Sequence, residues 1–168
     1  QVPMPEHPST LHRDLMQGVA ELLRCEEGAD LHLLYGGLNV FCHSLVLRLR
    51  CPNLLRALDT EGTRRDSSGR RMLALPAGIP PKAFGTLLAF VYTDALCDGF
   101  ADEQLEPILA ACERYELPRL QALCEQRLAD GLSPARAPAV VALAQEAGAA
   151  RLLGVAEAYL AEELDACL

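Results

Sequence analysis

Apolar positions along the chain repeat with two different periods. Leu11, Leu15, Val19, Leu22 and Leu23 stand at i, i+4, i+8, i+11 and i+12, one face of a helix, with Ser9 or Thr10 ahead of them as a cap. Three prolines within residues 1–8 predict an extended arm before that helix. Leu31–Tyr35 and Leu38–Cys42 read instead as two strands. Gly36-Gly37 between them can take the positive φ angles of a two-residue hairpin turn. Helix returns from Ser44 to about Arg50 and again from Pro52, where a missing N–H costs nothing, to about Asp59. Thr60 to Arg71 is polar and charged and predicts an exposed loop; Met72–Leu75 predicts a short strand closed by Pro76.

The remainder is helical. Pro80-Pro81 opens a helix with Phe84, Leu87, Leu88 and Val91 on one face. Asp102 can cap the next, which carries Leu105, Ile108, Leu109 and Cys112. Pro118 starts a third, with Leu120, Leu123, Cys124 and Leu128, that stops at Gly131. Ser133-Pro134 reads as a cap and first helical residue, for a helix ending at Gly148, and a last helix runs from about Ala149. Composition agrees: 32 Leu and 25 Ala against 8 aromatics and no Trp favour helix over sheet. The expected class is α+β and helix-rich, a small sheet flanked by helices and followed by a helical pair. No uncharged apolar run reaches the ~20 residues of a membrane span. A start at Gln1 suits a piece of a longer protein.

The net charge of −8, from 15 basic and 23 acidic residues, repels phosphate and predicts neither nucleic acid nor membrane as a partner. Seven cysteines form no CxxC pair and are an odd number, so they read as small buried hydrophobes in a reducing compartment. His7, His12, His32 and His43 lack metal-ligand spacing, and Cys42-His43, neighbours at a strand end, point apart. No phosphate loop, dinucleotide fingerprint or nucleophile elbow is present. The expectation is a protein that is not an enzyme, with no catalytic residue, cofactor or metal ligand. Arg64-Arg65-Asp66-Ser67 resembles a basophilic kinase site; a phosphate on Ser67 would add about −1.5 to −2 charges beside Arg70 and Arg71 and order the loop.

Four pieces in sequence then resemble a BTB/POZ domain. Asp30 to His43 is similar to that family's Asp-led strand, hairpin, second strand and His. Leu47, Arg50, Cys51 and Pro52 match its helical stretch, with Cys where Ser is commoner. Phe84 through Leu87-Leu88-Ala-Phe-Val-Tyr92-Thr93 matches its Phe…Leu-x-Phe-x-Tyr-Thr helix, with Asp94 where Gly is common. Ala111–Tyr115, Leu117, Leu120, Cys124 and Leu128 match its closing helices. The resemblance covers about residues 11–130. Residues 132–168 resemble the helical extension of cullin adaptors, the 3-box or the start of a BACK region. The implied organisation is an arm at 1–9, a BTB/POZ domain at 10–130 and the extension at 131–168.

The resemblance implies an intracellular homodimer, cytoplasmic or nuclear, acting as substrate adaptor of a cullin-RING ubiquitin ligase, with substrate held by a domain outside this chain. Leu11, Leu15, Met16, Val19 and Leu22 would line the dimer interface, with Asp30 and Arg50 as a charged pair beside it. The cullin face would draw on Leu54, Leu55, Leu58, Asp59, Glu61, Tyr115 and Glu116, two of the first three being core. Cullin binders carry a hydrophobic-x-Glu triplet where this chain has Gly62-Thr63-Arg64; Leu58-Asp59-Thr60-Glu61 replaces it only with a shift in register. The alternative is a dimerising scaffold or transcriptional-regulator module that binds no cullin.

Overall fold

The computed structural model describes residues 17–35, 38–58, 64–74, 78–96 and 104–166, which fall in two compact units, 1–98 and 99–168. In the first unit residues 17–22 are helical (α1). There follow β1 (Leu31–Tyr35), β2 (Leu38–Cys42), α2 (Ser44–Arg50), α3 (Pro52–Leu58), β3 (Arg64–Arg65), β4 (Arg71–Ala74) and α4 (Pro81–Thr93). Leu11, Leu15, Met16, the Gly36-Gly37 turn, Asp59, Glu61 and the Asp102 cap lie outside the described residues.

The four strands form one sheet in the order β2-β1-β4-β3. β1 pairs antiparallel with β2, Leu31 opposite Cys42, and parallel with β4, Leu31 opposite Arg71. A parallel pair needs a long crossover, and the chain through β2, α2 and α3 supplies it. Leu31, Leu33, Cys42 and Leu73 are buried, whereas Leu34 and Asn39 are exposed and His32 half-buried, so β1 alternates between two faces and leaves the apolar Leu34 in water. Cys51 ends α2 at φ −151°, ψ 67° because Pro52 drives the preceding residue out of the helical region. α4 ends at Asp94 in the left-handed region (φ 58°), its N–H donating to Phe90 O at 2.8 Å. A left-handed backbone is what favours Gly there in the family.

The segment read as a loop over 60–71 is partly a hairpin. β3 pairs antiparallel with β4, which begins at Arg71 and ends at Ala74 rather than running from Met72 to Leu75. The turn is made by Asp66-Ser67-Ser68-Gly69. Gly69 N–H donates to Asp66 O and Asp66 N–H to Arg70 O, both at 3.0 Å, and Gly69 takes φ 80°. Asp at the first turn position and a left-handed Gly at the fourth suit a three-residue hairpin loop.

The second unit consists of α5 (Leu105–Tyr115), α6 (Pro118–Asp130), α7 (Ala137–Glu146) and α8 (Ala150–Ala166). α5 packs on α6, α6 on α8 and α7 on α8, burying Ile108, Leu109, Leu120, Cys124, Leu128, Val140, Leu152 and Ala156. α7 starts three residues later than the Ser133-Pro134 signal places it. Residues 134–136 form a turn, with Arg136 and Ala137 N–H both donating to Ser133 O at 2.9 Å, and Pro138 takes the first helical turn instead. Among the described residues no helix is long and apolar enough to cross a membrane. The fold is helix-rich α+β, with a small four-stranded sheet.

Candidate interaction surface

Helix α2 is seven residues long and four of them are apolar: Leu45, Val46, Leu47 and Leu49. One face cannot take them all. Val46 and Leu47 are buried, whereas Leu45 and Leu49, one turn apart, keep 65% and 74% of their surface in water. An isolated helix this short is unstable, so its position depends on what holds its ends. At the start, Asp30 Oδ1 accepts the Ser44 N–H at 2.7 Å and Oδ2 accepts the Ser44 hydroxyl. At the far end, Arg50 Nε donates to Val91 O at 3.2 Å and its Nη2 to Asp94 Oδ1 at 2.5 Å.

Asp30 and Arg50 are therefore not paired with each other within the chain. They clamp opposite ends of α2, each with its own partner, because seven residues of helix separate them. Partial burial pushes the Asp30 carboxyl upward, but the bonds from the Ser44 hydroxyl and N–H, the Asp30 N–H and the Arg71 charge together hold it below its ordinary value.

A buried polar knot fixes the strand end that feeds α2. His43 N–H donates to the Tyr92 hydroxyl at 2.8 Å, and His43 Nδ1 lies 3.1 Å from that oxygen. His43 Nε2 lies 2.9 Å from Glu27 O, which only accepts, so Nε2 carries the proton and Nδ1 accepts the Tyr92 O–H. His43 is thus a buried structural residue. Beside it, burial and then the charge of Asp30 push the Cys42 thiol up to about 12, which leaves it protonated and unreactive. Cys51, Cys112 and Cys124 are also buried, but Cys25 is exposed, contrary to the uniform burial expected.

The remaining expected contact residues divide. Val19 and Leu22 of α1 are half-buried. Leu54, Leu55 and Leu58 are all buried within the chain, where two of the three were expected to be, and so is Tyr115. α3 presents its apolar stripe inward, and Tyr115 is one of the largest fully buried side chains. Glu116, left-handed at φ 56°, closes α5: Leu117 N–H reaches back to Cys112 O at 2.9 Å. Arg64, the last member of the Gly62-Thr63-Arg64 triplet, is exposed on β3. Sequence reasoning missed Leu45 and Leu49; the signal was the count of apolar residues in α2, too many for one buried face.

Unit two carries a cleft of about 430 Å³ along α7, floored by Leu128, Val140 and Leu143 and rimmed by Glu106, Arg136 and Glu146. A smaller one, about 280 Å³, lies between α6 and α8 beside the exposed Val155. Among the described residues no cluster of three or more His, Cys, Asp or Glu could hold a metal ion.

A clamped helix offering leucines to water is a surface suited to a protein partner. Residues 19–132 match the family model of the BTB/POZ domain, and the chain belongs to that family. It is 30% identical over 163 residues to BTB/POZ and MATH domain-containing protein 4 of Arabidopsis thaliana, a span of 88% of this chain and 34% of that protein. It is 28% identical over 166 residues to Kelch-like protein 30 of Homo sapiens, 97% of this chain and 26% of that protein. The chain thus spans about a third or less of the length of these relatives. The BTB domain of human gigaxonin shares the fold, with a TM-score of 0.53 at 18% identity over 74% of this chain and 95% of that one.

Proposed function

We propose that the chain is a homodimerising BTB/POZ module serving as substrate adaptor of an intracellular cullin-RING ubiquitin ligase, its substrate read by a domain outside these residues. The observation that carries the dimer is the solvent-facing Leu45–Leu49 pair on a helix clamped at both ends. Covering two leucines is favourable by about 1.5–3 kcal/mol each, and a second copy covers both pairs at once around a two-fold axis. The half-buried Val19 and Leu22 belong to the same interface in this reading. The helices α7 and α8 support the adaptor role, as the 3-box or BACK-type extension. The similarity to Kelch-like protein 30 takes in 97% of the chain and so includes them.

One observation favours a second reading, a dimeric scaffold or transcriptional-regulator module without a cullin. Burial of Leu54, Leu55 and Leu58 removes the apolar residues that α3 would offer, and exposed Arg64 stands where cullin binders place Glu. A titration of the chain against the cullin amino-terminal region separates the two. Adaptor function predicts saturable binding below tens of micromolar. No binding at that concentration by a chain that still dimerises leaves the scaffold.

A further inference from the structure

We propose that Ser67, at the tip of the β3–β4 hairpin, is a phosphorylation site for a basophilic serine/threonine kinase. The hairpin's geometry carries this beyond the motif. Ser67 is exposed at the second position of the turn. The turn does not use its hydroxyl: Asp66 Oδ1 accepts the Ser68 and Arg70 N–H groups at 2.9 and 3.0 Å, and Gly69 closes the loop. Asp66 Oδ2 is engaged with His32 Nδ1 at 3.1 Å, so the acidic neighbour is turned to the sheet and its partners, not to the acceptor. Residues 64–71 already form a hairpin, contrary to a loop that phosphate would have to organise.

The surroundings also suit the product. Arg65 and Arg71 stand opposite each other across the antiparallel ladder, Arg65 donating to Gly69 O at 2.6 Å and Arg71 within the field of the Asp30 carboxylate. A phosphate on the next residue but one adds about −1.5 to −2 charges beside that pair. Before the transfer, Arg64 and Arg65 stand three and two residues ahead of the hydroxyl, where two guanidinium groups can pair with carboxylates of the kinase. Kinases take their substrate extended. β3 has only two residues in its ladder, so opening it releases few backbone bonds, together with the Arg65–Gly69 and His32–Asp66 contacts.

The transfer balances with ATP as co-reactant. The Ser67 Oγ attacks the γ-phosphorus, an Oγ–P bond forms, the bond from that phosphorus to the β,γ-bridging oxygen breaks, and ADP leaves. The hydroxyl proton passes to the kinase's base. Nothing is oxidised or reduced.

The test incubates the folded 168-residue chain with ATP and the catalytic subunit of cyclic-AMP-dependent kinase, beside a peptide of residues 60–73, and locates phosphate by fragmentation mass spectrometry. The expected result is one phosphate on Ser67, absent from Ser67→Ala and retained in Ser68→Ala. In Arg64→Ala/Arg65→Ala, exposed positions whose fold is checked by circular dichroism, the rate should fall by about tenfold or more as the charge-assisted contacts are lost. Phosphate on Ser68 alone, reaction of the peptide but not of the folded chain, no reaction of either, or a rate indifferent to both arginines would each overturn the assignment. None of these readouts depends on dimerisation or on a cullin.

Discussion

At the scale of single residues, the first unit depends on a few polar groups placed where the backbone has no partner of its own. The Tyr92 hydroxyl accepts the buried His43 N–H and donates to Nδ1. Tyr92→Phe removes both bonds at almost constant volume and leaves a buried donor unsatisfied. It should cost about 2 kcal/mol, measured as a lower urea midpoint at unchanged slope; a loss under about 0.5 kcal/mol would mean that water replaces the hydroxyl. Asp30 gives a prediction with a sign. Its folded value lies below the ordinary 3.8, so its contribution is full above that pH and is lost as pH falls through the lower folded value. Asp30→Asn keeps an acceptor for the Ser44 N–H and removes the charge, so it should be less stable than wild type by about 0.5 kcal/mol at pH 7, the size of a charge at a helix N-terminus in an exposed site. The two chains should converge as pH falls from about 4 toward 2. A gap constant across that range would assign the effect to something other than the carboxylate charge.

At the scale of elements, most of the fold was legible because apolar spacing and proline placement act locally. Both strands of the first hairpin, α2, and the proline-led starts of α4 and α6 fall where the sequence puts them. The misses have physical causes. β3 went unseen because its two arginines carry no apolar alternation; the Asp-Ser-Ser-Gly turn was the available signal. α7 was started too early because Ser133 does receive backbone bonds, but from a turn. The contact surface was less legible than the fold. Spacing does not say which of two apolar faces is covered: it puts two of Leu54, Leu55 and Leu58 in the core where all three are buried, sets Tyr115 on the cullin face where it is buried, and does not single out Leu45 and Leu49. The α7–α8 junction turns on a single backbone conformation. Gly148 is left-handed at φ 61°, with nothing within 4 Å of an added Cβ, and Ala149 N–H closes the helix on Ala144 O. Gly148→Ala should therefore cost about 1 kcal/mol through backbone strain alone, and Gly148→Asn less. Equal thermal midpoints for Ala and Gly at this position would contradict a strained junction.

At the scale of the whole molecule, a chain of net charge −8 keeps two large leucines on α2 in water, held there by Asp30 and Arg50. Uncovered leucines on a clamped helix favour association, and a two-fold partner is the simplest cover. The clamps also separate two ways of losing the proposed dimer. Breaking a clamp should loosen α2 and lower stability and association together, whereas charging the exposed face should abolish association and leave the fold intact. Sedimentation equilibrium of wild type and of Leu45→Glu/Leu49→Glu at tens of micromolar, with circular dichroism on both, tests this most directly. Wild type is expected at twice the 18.2 kDa chain mass and a folded variant at that mass itself. A monomeric wild type, or a variant that still sediments as a dimer, would contradict it.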